Sequence, residues 1–173
     1  LGNFNDLHIS LQGPEGALAT VPPAAHPRNW NIDAVRAALS ETILSRRNLL
    51  AGRLEAGPAY ALIGSFALPE EEWALLEGAL DRLAGAPALI LDVRPNGGGD
   101  ERLAARLAAR FAKQPVVYAK HRFRDPTLGG LDGFEEPMER VLEPRKGAAP
   151  DSRPVAVLQG PYCVSSCEGF LLM

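Results

Sequence analysis

Ser165 stands where an apolar segment, Pro154-Val-Ala-Val-Leu158, gives way to Cys163-Val-Ser-Ser-Cys-Glu-Gly-Phe170. The pattern predicts a strand that breaks into a helix, with the serine at the break. A hydroxyl held there can be a nucleophile, because the unpaired N–H groups and the positive end of a helix stabilise an alkoxide or oxyanion beside them. Ser165 and Glu168 also match the Ser-x-x-Glu of a capping box, in which the serine only starts the helix. A second place suited to negative charge is Asn96-Gly97-Gly98-Gly99, which follows the nearly continuous apolar run Ala88-Leu-Ile-Leu-Asp-Val93. Such a run predicts a strand buried on both faces. Its glycines permit dihedrals closed to other residues, so the loop can bring a backbone N–H against a developing oxyanion. The alternative is a plain strand-to-helix turn; neither Gly-x-x-x-x-Gly-Lys nor Gly-x-Gly-x-x-Gly, the phosphate-binding spacings, is met.

A nucleophilic serine needs a base, and the chain offers three histidines and three lysines. His8 is the candidate. It lies in the strand-like Asn5-Asp-Leu-His-Ile-Ser-Leu11, whose apolar neighbours can fix its ring, whereas His26 sits in a proline-rich connection and His121 beside Arg122. Asp6 can orient His8 only if the chain bends, since residues two apart on a strand share a face without their tips having to meet. Without Ser165, a lone histidine reads as a structural or surface residue.

A chain of 173 residues at 46% hydrophobic content suffices for one buried core. The net charge of −3 and the isoelectric point near 5.7 argue against nucleic acid or an anionic membrane as partner. No run reaches transmembrane length and no signal peptide is recognisable; Leu1 and Met173 read as the trimmed ends of a longer protein. Cys163 and Cys167 are the only cysteines. Two buried, unpaired thiols are the reading the sequence favours, a local disulfide in an oxidising compartment the alternative. With no histidine beside them they do not make a metal site, and no metal or cofactor is expected.

The elements that would position these groups alternate. A hairpin is predicted from Leu7–Leu11 and Ala17–Val21, then a helix from about Asn31 to Leu50, with Ile32, Val35, Leu39 and Ile43 at helical spacing. Strands at Ala59–Phe66, Pro87–Val93 and Pro115–Lys120 alternate with helices at Pro69–Ala84 and Asp100–Ala112. That order implies right-handed crossovers and a largely parallel sheet. Trp73, Leu76, Leu80 and Leu83 form one core-facing stripe, Leu103, Leu107 and Phe111 another, and Arg102, Arg106 and Arg110 a solvated face. Residues His121 to Pro150 read as a loop-rich crossing before the last strand.

Together these residues resemble the C-terminal processing (tail-specific) serine peptidases, including their tricorn-core and retinoid-binding-protein-like branches. Leu89-Ile-Leu-Asp-Val-Arg-Pro-Asn-Gly-Gly-Gly99 is similar to the family's strand and Asp-x-Arg-x-Asn-Gly-Gly-Gly; Ser165-Ser-Cys-Glu168 to its Ser-x-x-Glu; Asn5 to Leu11 to its Asp-Gly-His segment, with Leu7 where the family has glycine. Tyr60 to Phe66 resembles the strand before the glycine motif. The resemblance implies an α/β fold: a mostly parallel twisted sheet with crossover helices, a ClpP/crotonase-like spiral core, preceded by a short hairpin and helix. Residues 1–58 would be the N-terminal part and 59–173 the peptidase core, incomplete at its C-terminal end. It implies Ser165 as nucleophile, His8 as base supported by Asp6, Gly97, Gly98 and Ser166 as oxyanion hole, and Glu168 in support. The substrate would be a peptide or protein. Too few residues separate His8 from Tyr60 for the family's PDZ domain, which points to the branches without one; a lysine or acidic partner for the serine would lie beyond Met173. The resemblance also implies an extracytoplasmic location, periplasmic or secreted, over a cytoplasmic one, with which a bonded cysteine pair would agree. Two other readings stay open: a non-catalytic relative that binds a peptide or apolar ligand in the same cleft, and an acyl-thioester enzyme with an N–H pair but no serine nucleophile.

Overall fold

A computed structural model gives the structure of residues 10–14, 16–19, 28–129 and 133–173. Strands β1 (Ser10–Gly13) and β2 (Gly16–Ala19) form the expected antiparallel hairpin. His8, Asp6 and the remainder of the predicted first strand lie outside the described residues.

Helix α1 is short, Ile32–Ala38. Asn31 starts it, its side-chain oxygen accepting from the N–H groups of Asp33 at 2.9 Å and Ala34 at 3.1 Å. The helix expected to run on to Leu50 does not. Leu39–Ser45 is instead strand β3, which turns at Arg46–Asn48 into β4 (Leu49–Leu54) and then β5 (Ala59–Ile63). Leu39 and Ile43 fit a helical stripe by spacing alone. Pairing with β4 supplies the backbone partners of an extended chain, and residues 49–52 are buried throughout, as suits a strand covered on both faces.

The chain then alternates as the pattern requires: α2 (Glu70–Arg82), β6 (Leu89–Asp92), α3 (Glu101–Ala108), and finally β9 (Val155–Leu158) and α4 (Ser166–Leu172). The main sheet has the order β3-β4-β5-β6-β9. β3, β4 and β5 pair antiparallel, while β5, β6 and β9 pair parallel, so the sheet of this α/β fold is mixed. The strand predicted near Pro115 leaves the sheet altogether. As β7 (Val116–His121) it pairs antiparallel with β8 (Met138–Leu142), a strand inside the segment read as loop, to form a separate ribbon.

Three glutamates, Glu70, Glu71 and Glu72, favour the start of α2, where the backbone N–H groups point outward. Its stripe is buried as predicted: Trp73, Leu76, Leu80 and Leu83 lose all solvent contact against the sheet and α3. Each such side chain stabilises the fold by roughly 1.5–3 kcal/mol. The arginine face of α3 is not simply solvated. Arg102 is exposed and paired with Asp100, but Arg106 bridges to Glu70 at 2.8 Å and Glu77 at 2.7 Å on α2. Arg110, 5% exposed, reaches Asp81 at 2.5 Å. These ion pairs tie α3 and the turn that follows it to α2.

Candidate active site

β6 and β9 run side by side, with Asp92 opposite Leu158, so the Gly97–Gly99 loop and the Ser165 turn emerge at the same end of the sheet. Contact between them is direct. A Cβ built on Gly98 would come within 2.8 Å of the Ser165 Cβ and of the Val164 carbonyl oxygen, and 3.1 Å from the Ser166 nitrogen. Gly98 has φ +90°, so both the space and the dihedral require glycine.

Asn96 holds the loop in place. It is fully buried; its Oδ1 accepts from the Gly98 N–H at 2.8 Å and its Nδ2 donates to the Ile63 carbonyl at 3.1 Å. Its backbone oxygen accepts from the Val164 N–H at 3.3 Å, linking the loop to the serine turn. On the far side the Gly98 carbonyl accepts from the Phe66 N–H at 2.8 Å.

Ser165 has φ 60° and ψ −128°, and among the described residues it is the one non-glycine residue at positive φ. That conformation is sparsely populated for residues with a side chain and costs on the order of 1–3 kcal/mol. Glu168 takes the Ser165 N–H on its carboxylate at 2.9 Å, and the Ser165 carbonyl receives the N–H groups of Glu168 at 2.9 Å and Gly169 at 3.2 Å. The capping arrangement predicted from Ser-x-x-Glu is therefore present. It does not by itself require the positive φ, because an ordinary capping serine has β-region dihedrals. Ser165 is exposed, and the N–H groups of Ser166 and Gly97 donate to no acceptor among the described residues.

The cysteines are bonded to each other. The Cys163–Cys167 disulfide, Cα to Cα 5.3 Å, spans Ser165 and replaces the pair of free thiols that the sequence favoured. Four-residue spacing leaves both states open; the turn at Ser165 brings the two side chains together.

A sequence profile of Peptidase family S41 matches residues 59–173, well over half of the chain. The chain belongs to this family. No curated protein matches it in sequence. Among solved structures, a candidate peptidase from Parabacteroides merdae superposes with a TM-score of 0.78 at 22% identity, over 96% of this chain and 52% of that one. This chain thus spans about half the length of that relative. The photosystem II D1 C-terminal processing protease shares 18% identity over 66% of this chain and 26% of its own, with a TM-score of 0.46.

Behind the S41 glycine loop lies a buried polar group, part of the Asp-x-Arg motif, to which the sequence alone assigned no role. Asp92, fully buried, accepts from the Tyr60 hydroxyl and from Arg94 through Nε at 2.9 Å and Nη2 at 2.6 Å. Arg94 also donates to the Asn29 carbonyl at 2.7 Å, and Asn29 Nδ2 donates to the Gln159 carbonyl at 3.3 Å. A strap formed by residues 28–31 is thereby fastened across the ends of β6 and β9. Burial, then the Asp92 carboxylate, pushes the Tyr60 phenol above its ordinary value. An acid and a base two residues apart at a strand end, Asp92 and Arg94, were the available signal. No described contact joins His121 to Ser165; its ring lies edge-on to Phe123 at 5.0 Å. Among the described residues no group of three or more His, Cys, Asp or Glu side chains assembles that could hold a metal ion, and no helix is long and apolar enough to cross a membrane.

Proposed function

We propose that this S41 chain carries the acylation site of a serine peptidase, with Ser165 as nucleophile. The observation that carries the reading is the positive φ of an exposed serine packed against Gly98. A strained strand-to-helix turn of this kind is how a serine hydroxyl is held out at the top of a sheet in unrelated hydrolases. The Ser165 Oγ would attack the peptide carbonyl and pass its proton to a base, for which His8, oriented by Asp6, is this chain's candidate. The oxyanion would be received by the Ser166 N–H and by the glycine loop. Because the Gly98 N–H already donates to Asn96, we assign the loop donor to Gly97 and give Gly98 the role of allowing the close approach. Glu168 keeps the turn in place. Release of the amine leaves an acyl-enzyme, which water hydrolyses.

The test is intact-mass spectrometry of the full-length protein after reaction with a fluorophosphonate. A stoichiometric adduct, absent in Ser165→Ala, is the expected result, and peptide hydrolysis should disappear in the same variant. No adduct on folded protein would overturn the reading. His8→Ala should slow labelling at least tenfold, and unchanged labelling would remove His8 as base.

The Ser165–Glu168 capping geometry favours a second reading, in which the serine is a helix cap in a relative that binds peptides without cleaving them. That reading predicts peptide binding that survives Ser165→Ala, with no phosphonate adduct.

A further inference from the structure

We infer that the Cys163–Cys167 disulfide is a positioning device for Ser165, and that the reactivity of the serine depends on this bond being closed. The inference rests on Ser165 being the nucleophile.

A serine at φ 60° keeps that conformation only where its surroundings over-determine it. From the solvent side nothing does, since Ser165 is exposed. On its N-terminal side the Val164 N–H donates to the Asn96 carbonyl at 3.3 Å and the Cys163 N–H to the Gly160 carbonyl at 3.0 Å, and the Val164 carbonyl meets Gly98. On its C-terminal side α4 has only seven residues. Across the serine the two sides are joined by hydrogen bonds, the Cys167 N–H to the Val164 carbonyl at 3.1 Å and the Ser165 N–H to Glu168 at 2.9 Å, and the disulfide adds the one covalent cross-link. It joins the residue two before Ser165 to the residue two after it, and both ends are sunk in the core: Cys163 is 8% exposed and Cys167 is fully buried. The covalent ring therefore pins the strained residue from beneath while leaving its hydroxyl free. The same ring carries Ser166, so it also fixes the direction of the Ser166 N–H relative to Oγ.

Opening the ring changes this balance without touching the sheet. A small dithiol supplies two electrons and two protons; the Cys163–Cys167 bond breaks, each sulfur leaves as a thiol, and the dithiol closes to its own disulfide. Ser165 can then relax toward negative φ, which swings Oγ and the Ser166 N–H out of register with Gly97. Misplacement of reacting groups by about an ångström is enough to lower a rate roughly a hundredfold. The protein would consequently react faster in an oxidising compartment than in a reducing one.

The experiment compares the oxidised full-length protein, the same protein reduced with dithiothreitol, and the double variant Cys163→Ser/Cys167→Ser. Thiol content is counted by mass after alkylation of a parallel sample, and fluorophosphonate labelling is followed to saturation to separate the limiting rate from probe affinity. We expect two thiols to appear on reduction, and the limiting rate to fall roughly tenfold or more with probe affinity and far-ultraviolet circular dichroism unchanged. Reoxidation should restore the rate, and the double variant should match the reduced protein. Equal rates for the oxidised and reduced forms, or free thiols in the protein as isolated under oxidising conditions, would overturn the inference. Should the double variant fail to fold, the reduced and reoxidised wild type decides alone. An oxidised protein that does not label at all refutes the nucleophile, and this inference with it; a labelled oxidised protein indifferent to reduction refutes only the inference.

Discussion

Gly98 touches Ser165 across the junction of β6 and β9, with room for no atom between a Cβ on the first and the Cβ of the second: they would meet at 2.8 Å. The contact joins two motifs some seventy residues apart in the sequence into one site.

Gly98→Ala should therefore damage the site more than the fold. The added methyl must displace the Val164 carbonyl or the serine, at a cost of about 1–3 kcal/mol, and any shift of Ser165 should slow phosphonate labelling on the order of a hundredfold. Gly78→Ala, where a Cβ meets open space on α2, is the control and should label normally. Equal labelling of the two variants would sink this view of Gly98.

Asn96→Ala removes the acceptor of the Gly98 N–H and the donor to Ile63 at a fully buried position. Two buried backbone groups lose their partners, so urea denaturation should report a loss of about 2–5 kcal/mol. Labelling should fall even in molecules that remain folded, because the loop is no longer held against the serine turn. A variant as stable as the parent would show that water replaces the amide.

Arg94→Met tests the strap. It leaves the buried Asp92 carboxylate with Tyr60 but without its cation and frees the Asn29 carbonyl. A loss of roughly 3–5 kcal/mol is expected, as for breaking any buried ion pair from one side. Trypsin should also cut after Arg28 in the variant well before it does so in the parent. Unchanged cleavage would mean that Arg94 does not fasten this segment.

Tyr60 gives a pH signature. Burial first, and its hydrogen bond to Asp92 second, raise the phenol above the ordinary value near 10. The folded state thus favours the protonated phenol. Its contribution to stability is complete below about pH 10, the unfolded value, and is lost as the pH rises from there toward the folded value. The urea midpoint of the parent should fall between pH 9 and pH 11 more steeply than that of Tyr60→Phe. Parallel curves would contradict the assignment.

Much of the parallel half was legible in the sequence. The runs at Ala59 and Ala88, the stripe from Trp73 to Leu83 and the glycine triplet carry strong periodic or compositional signals, and they appear where expected. The segment from Leu39 to Leu50 was misread because its apolar spacing suits a helix, while the partner that makes it a strand, β4 with β5 behind it, is a matter of tertiary pairing. β8 was hidden for a related reason: Met138–Leu142 has little alternation and depends on β7 to be extended. Of the candidate site, the sequence pointed to Ser165, Glu168 and the glycine loop. The side-chain role of Asn96 and the Tyr60–Asp92–Arg94 group could not be read from it, since each depends on distances between segments; the disulfide was one of two open readings, decided by the turn at Ser165. His8 and Asp6 stand as sequence expectations.

β9 has a strand beside it on one flank only, among the described residues, and Val155 and Val157 on it are 37% and 41% exposed. Few buried contacts per residue make such a strand one of the first parts of a sheet to open transiently, long before the whole domain unfolds. The serine turn and α4 follow β9 in the chain, so an opening of this unit carries Ser165 away from a glycine loop that stays with β6. Amide exchange at Leu89 and Val93, whose N–H groups donate to the carbonyls of Pro154 and Leu158, then measures the fraction of time in which the site exists at all. On the proposed function, the reactivity of Ser165 would in that sense be set by a local folding equilibrium.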